Sequence, residues 1–259
     1  MADYSDDWFH PELYLNPAQD TLFDKEPWPK PFVFNEEVAR IFDNMVSRSV
    51  PLYREVMACA VHWARAYYQP GTRIIDVGCS TGTFLELLGR FLQESATLVG
   101  IDNSQPMLDK AREKLANLPE RHQVEWVCDR AENASFHNSS VVVLNYTLQF
   151  LPISQRQRVV QTVYDGLVPG GLMFLSEKVK SPYPRFQETM THHYEAFKAR
   201  NGYAHNEIER KKEALEQVLI PLTEAQQVEM LHNAGFGQID TLIKLHNFVT
   251  IVALKSGPN

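Results

Sequence analysis

Apolar positions along this chain follow two periods. Over Val38–Met45, and from about Leu52 to Tyr68 with Val56, Ala60 and Trp63 on one face, they recur every three to four residues, which predicts two amphipathic helices. From Arg73 onward, short apolar runs alternate with helical stretches. Strands are expected at Arg73–Val77, Thr97–Ile101, Val124–Cys128, Ser140–Tyr146 and Leu172–Glu177. Ser140–Tyr146 has the unbroken apolar run of a strand buried on both faces. Helices are expected between these strands at Phe84–Leu92, Ser104–Leu115 and Ser154–Leu167. The second of these opens on a capping serine with Pro106 in its first turn. Pro169-Gly170-Gly171 reads as a turn. Strands alternating with helices imply an α/β fold, a mostly parallel sheet with helices on both faces.

The flanks differ. Residues 1–33 are dense in Asp, Pro, Trp and Phe and read as an extended arm, because prolines at that spacing prevent a helix. Residues 34–259 then form one domain. From Arg185 to about Leu219 the chain is helical and polar, outside the period of the sheet, and is expected to be a cap inserted over about 183–222. Thr223–Ala234 is a further helix ended by Gly235, and Ile239–His246 with Phe248–Leu254 form a closing antiparallel pair.

The chemistry concentrates at the first strand. Arg73-Ile-Ile-Asp76-Val-Gly78-Cys79-Ser80-Thr81-Gly82 is followed by a second strand ending at Asp102-Asn103-Ser104. A strand, a glycine turn, a helix and an acid at the next strand end make an adenosine site, the acid accepting from both ribose hydroxyls. A dinucleotide site carries G-x-G-x-x-G for its pyrophosphate. Here an acid stands two residues before the first glycine, where it would repel a polyphosphate. It suits the ammonium of S-adenosylmethionine (SAM). Asp102 is then expected on the ribose and Asn103 facing the adenine. Asn145, ending a central strand, is placed for the amino-acid part of SAM. Asp129 is placed for the adenine amine, with Arg130 beside it, and Tyr53 for the cofactor carboxylate.

Composition narrows the partners. A net charge of −7 excludes a broad nucleic-acid surface. Cys59, Cys79 and Cys128 are far apart with no metal-ligand spacing, and free thiols fit a reducing cytoplasm. No apolar stretch is long enough for a bilayer, and the acidic, aromatic N-terminus does not read as a signal peptide.

Motifs spread from Phe34 to Lys255 resemble carboxy-SAM synthase, a family within the class I SAM-dependent methyltransferases. They include Arg48-Ser-Val-Pro51-x-Tyr53, Asp76-x-Gly-Cys-Ser80, Ile101-Asp-Asn-Ser104, Leu144-Asn-Tyr-Thr-Leu-Gln-Phe-Leu151, Leu175-Ser-Glu-Lys178, Phe197-Lys-x-x-Asn-Gly-Tyr203 and Ala234-Gly-Phe236. The resemblance implies a Rossmann-like class I methyltransferase fold, a homodimer, and conversion of SAM and prephenate to carboxy-SAM for modification of the tRNA wobble uridine by a second enzyme. By position it implies cofactor contacts at Tyr53, Gly78, Cys79, Ser80, Asp102, Asn103, Asp129 and Asn145.

Two positions depart from the family. The family's Leu-Gly-Ala-Ala after Gly-Cys-Ser is Thr81-Gly82-Thr83-Phe84 here. The family's arginine for the extra carboxylate falls, counting from Tyr203, on Lys212, a point charge without a planar two-pronged contact. Arg210, two residues away on a helix, faces elsewhere. On this ground the sequence reads as a SAM-dependent methyltransferase of this group, moving the activated methyl to an unidentified small-molecule acceptor. Any base it needs is sought among His192, His193, Tyr203 and Lys212. Carboxy-SAM synthase itself, and a non-catalytic SAM-binding dimer module, are the alternatives.

Overall fold

The computed structural model describes residues 32–257, so the expected arm lies outside the described residues except for its last two positions. Among the described residues the first element is α1 (Glu36–Ser49). The Asn35 side chain caps this helix by accepting from the Val38 N–H at 3.0 Å. Leu52, at φ 56°, turns the chain into α2 (Tyr53–Tyr67). The predicted alternation follows: β1 (Arg73–Val77), α3 (Thr83–Phe91), β2 (Thr97–Asp102), α4 (Gln105–Leu115), β3 (Gln123–Cys128), β4 (Ser139–Asn145), α5 (Ile153–Gly166) and β5 (Leu167–Lys178). The region expected to be a cap holds α6 (Pro184–Arg200) and α7 (His205–Leu215), and α8 (Glu224–Ala234), β6 (Gln238–Leu245) and β7 (Phe248–Leu254) are the last of the described elements.

The seven strands of the described residues form one sheet in the order β3-β2-β1-β4-β5-β7-β6. β1 to β5 pair in parallel, and β7 runs antiparallel between β5 and β6. Successive strand residues point to opposite faces, and the two faces have separate cores. Ile75, Val77, Val142, Leu144 and Met173 pack beneath α5 and α8 through Val160, Val163 and Leu231. Ile74, Leu98, Val141, Val143 and Phe174 pack beneath α2 and α3 through Val56, Ala60, Leu85 and Leu88. Each such side chain contributes roughly 1.5–3 kcal/mol on burial, which fixes the register of strands buried on both sides.

One expectation fails. Pro169-Gly170-Gly171 is not a turn between elements but a bulge within β5, where pairing shifts from Ser139↔Leu167 to Val141↔Leu172. The Gly170 N–H donates to the Lys255 carbonyl at 2.9 Å, and the Lys255 N–H to the Gly171 carbonyl at 3.0 Å, so the segment stays bonded to the sheet.

The strand order reverses between β1 and β4. In a doubly wound sheet that is where a crevice opens at the carboxyl ends of the strands.

Candidate active site

The loop after β1 is held from below. The Gly78 and Cys79 N–H groups donate to the Ile101 carbonyl at 2.7 and 3.0 Å, tying it to β2. Gly78 has φ 70°, and a Cβ there would lie 2.6 Å from Thr147 Oγ1. That hydroxyl donates to the Val77 carbonyl at 2.6 Å, so the glycine makes room for the wall that follows β4 as well as for a ligand. Asp102 ends β2. Its Oδ2 accepts from the Ser80 N–H and its Oδ1 from the Ser104 N–H, both at 2.9 Å. These bonds fix the carboxylate and leave it further lone pairs. Burial raises its pKa, and the backbone donors oppose the rise.

Above this loop lies a cavity of about 400 Å³, a size suited to a small-molecule ligand. Tyr53, Asp76, Gly78, Cys79, Ser80, Asp102, Asn103, Asp129, Arg130 and Asn145, the cofactor contacts expected from sequence, all line it. Asp76 is buried, accepts no side-chain hydrogen bond among the described residues, and is pushed up to about 8 by burial and then by Asp102. A bare buried carboxyl of this kind fits a ligand cation. Both amide atoms of Asn145 are buried without a partner among the described residues, an arrangement that fits a ligand donor and acceptor at the end of β4. Tyr53 opens α2, and burial, Asp43 and Asp76 hold its phenol protonated. Asp129 and Arg130 sit at the exposed rim. Asp129 accepts from Asn133 and from the Arg130 N–H, which lower its pKa, while the Arg130 side chain pairs with Glu132 at 2.7 Å. These residues therefore fit SAM: an acid for its ammonium, a fixed carboxylate for its ribose and an open amide for its amino-acid part.

None of the four catalytic candidates lines the cavity. His192 and His193 are exposed on α6, and His193 stacks on His246 at 5.0 Å. Tyr203 is buried, with its hydroxyl 3.2 Å from Ser49 Oγ. Lys212 stands outside the cavity of its own chain and pairs with Glu195 at 3.1 Å. The neighbouring Lys211 is buried instead, lining the cavity and donating to Ser49 Oγ at 2.6 Å.

The sequence reading also passed over Lys178, Tyr194 and Glu177. Lys178 and Tyr194 line the cavity from the end of β5 and from α6. Glu177, fully buried, accepts from the Leu148 and Gln149 N–H groups at 2.8 and 2.9 Å and holds the wall after β4; burial pushes it up to about 8 despite Arg156. The strand-end triplet Ser176-Glu177-Lys178 was the available signal.

Residues 74–171 match the family described as "Methyltransferase domain". A curated carboxy-S-adenosyl-L-methionine synthase from Trichodesmium erythraeum is 70% identical over 95% of this chain and 97% of its own length. One from Desulforapulum autotrophicum is 42% identical over 92% and 97%. Among solved structures, a possible exported protein from Bordetella parapertussis superposes with TM-score 0.62 at 18% identity, covering 91% of this chain and 77% of that one. A magnesium protoporphyrin IX methyltransferase from Synechocystis with bound SAH gives 0.58 at 15% identity, covering 82% and 87%. The distant structures establish the methyltransferase fold and the close sequences the branch within it: the chain belongs to the carboxy-S-adenosyl-L-methionine synthase family.

Proposed function

We propose that this protein makes carboxy-SAM from SAM and prephenate. The observation that carries this reading is 70% identity to a carboxy-SAM synthase over 95% of the chain. It replaces methyl transfer to an unidentified acceptor, a reading that rested on Lys212. Lys212 lies outside the cavity of its chain, whereas Lys178 and Lys211 line it, so the site does not lack cations. SAM is consumed as a substrate. The balanced reaction takes a proton from its sulfonium methyl and joins that carbon to carbon dioxide. Prephenate supplies the carbon dioxide and, as its ring aromatises, the hydroxide that leaves with the proton as water.

The chain's own part is binding, orientation and exclusion of water. Asp76 is set to hold the ammonium and Asp102 the ribose, with the amide of Asn145 between cofactor and second substrate. Phe34, Phe42, Phe150 and Phe248 line the remainder of the cavity with apolar surface, which keeps a reactive carbanion from water. Buried cations on the far side stabilise carboxylate charge in a medium where they act strongly. The reading includes a homodimer, checked by light scattering.

The test is direct. Purified protein with SAM and prephenate is expected to yield a SAM-derived product heavier by one carboxyl group in mass spectrometry. Methylated small molecules in its place, with no such product, would return the protein to the methyltransferase reading.

A further inference from the structure

The cavity is charged unevenly along the sheet. Asp76 on β1 and Asp102 on β2 make one end acidic. Across β4, at the end of β5, Lys178 enters the lining. Its backbone is fixed: the N–H donates to Gln149 Oε1 at 2.9 Å, and in the ladder it stands opposite Phe248. Its ammonium lies 4.7 Å from the centre of the Tyr194 ring. The Lys198 ammonium lies 4.6 Å from the same ring. Tyr194 in turn packs on Phe248 at 5.3 Å, and Phe248 on Tyr146 at 6.1 Å, an aromatic wall that leaves the lysine poorly solvated.

Among the described residues no carboxylate is within ion-pair distance of Lys178, and its ammonium makes no hydrogen bond. Glu195, which faces it, is engaged by Lys212 at 3.1 Å. Lys211 and Arg130, the other cations in the lining, differ because Ser49 Oγ already holds Lys211 at 2.6 Å and Glu132 pairs with Arg130 at 2.7 Å. Lys178 is thus a half-buried ammonium packed on an aromatic face, with Glu195 near but engaged by Lys212, and it opens into a cavity whose opposite end is acidic. Burial pushes it down to about 8, and neighbouring Lys198 is also held near 8 by burial and by Lys178. A cation in that state is completed by an anion from outside the chain.

We propose that Lys178 is a further carboxylate-binding residue of this cavity, holding a carboxylate of the second substrate or the carboxyl group transferred to SAM. The inference deepens the function proposed above and rests on it for the identity of the carboxylate. An ammonium is a single-point donor and does not dictate a bidentate geometry. The same residue therefore suits a donor acid before transfer or a carboxylated product after it.

The test is binding without turnover. Affinities for SAM and for carboxy-SAM are measured by calorimetry on the whole protein and on Lys178→Met and Lys178→Arg, and the KM for prephenate alongside. In Lys178→Met we expect SAM to bind within about twofold of wild type, while carboxy-SAM affinity falls, or the prephenate KM rises, about tenfold or more. Loss on carboxy-SAM assigns the subsite to the transferred carboxyl. Loss on prephenate alone assigns it to the donor. Lys178→Arg is expected to restore most of whichever is lost. A residue kept for a ligand at the expense of stability also predicts that unliganded Lys178→Met unfolds at or above the urea concentration of wild type.

Unchanged carboxy-SAM and prephenate values would overturn the proposal. So would equal weakening of all three ligands with a marked loss of stability, which is what a packing residue gives. A wild-type protein that binds carboxy-SAM but forms none would sink the proposed function and leave this binding test intact.

Discussion

At the scale of single residues the decisive group is Asp76. Its carboxyl, held up at about 8, is mostly protonated at neutral pH in the empty cavity. A ligand ammonium beside it stabilises the ionised form, so its pKa falls on binding. Binding is then favoured by deprotonation, and affinity rises with pH toward 8. We expect SAM binding at pH 7 to release close to one proton, read as a dependence of calorimetric enthalpy on the ionisation enthalpy of the buffer. Asp76→Asn is expected to abolish the release and to weaken SAM by roughly 10- to 100-fold, the loss of one charge-assisted hydrogen bond. A wild type that binds SAM with no proton release would show that the ammonium lies elsewhere. Asp76, Asp102 and Asn145 were legible because each stands at the end of a recognisable strand, where the crevice must open. The cations were not. Along α7 the buried stripe is Glu207, Ile208, Lys211 and Ala214. Ile208 and Ala214 in the sequence suffice to place Lys211 on that stripe and Lys212, the position that the resemblance points to, off it.

Elements are set here by how closely their ends approach. Gly82 begins α3 at φ 76°, and a Cβ there would meet Leu115 Cδ1 at 2.8 Å and Ala111 Cβ at 3.0 Å. Ala111 and Leu115 belong to α4, so the glycine sets the distance between two helices whose N-termini flank the cofactor loop. Gly82→Ala adds left-handed strain and an overpacked contact, together about 2–4 kcal/mol. Its urea midpoint is expected to fall accordingly, and its SAM affinity to fall as the loop shifts. Unaltered stability would mean that α4 yields without resistance. Helix starts and stops read well from sequence because their causes are local: Asn35 and Ser104 accept from backbone N–H groups at their helix starts, and Gly235 ends α8 at φ 109°. β5 read badly at its start for the opposite reason. Pro169-Gly170-Gly171 has the composition of a turn, and only bonds to Lys255, distant in sequence, keep it within the sheet.

For the whole molecule, the alternation of periods was enough to predict a mostly parallel sheet with one antiparallel strand, because two-face burial leaves few other arrangements for such runs. How far the cap reaches into the cavity was not legible, since the period of a polar helix is indifferent to which neighbour it meets. Tyr194 and Lys211 enter the cavity from that region. Buried carboxyls at and behind the cavity also leave a mark on global stability. Asp76 and Glu177 both sit near 8 in the folded protein, far above their ordinary values of 3.8 and 4.5. The folded state therefore holds protons that the unfolded chain has released, and stability falls as pH rises between those limits. The loss is up to about 1.4 kcal/mol per pH unit for each group while it stays protonated. His122 is lowered by burial and acts in the opposite sense, but its window lies below its ordinary 6.5; Lys178 and Lys198, lowered from 10.5 to about 8, act above the acids' range. Between pH 6 and 7.5 the two acids therefore dominate, and the free energy of urea unfolding is expected to decline across that interval. Glu177→Gln should make the decline shallower, because one of the two proton-holding groups is gone. Saturating SAM should do the same by ionising Asp76 in the folded state. Stability that is level or rising over this interval in the unliganded protein would mean that water or a counter-ion already stabilises the ionised form of both carboxyls, and Asp76 would then not be reserved for a ligand cation.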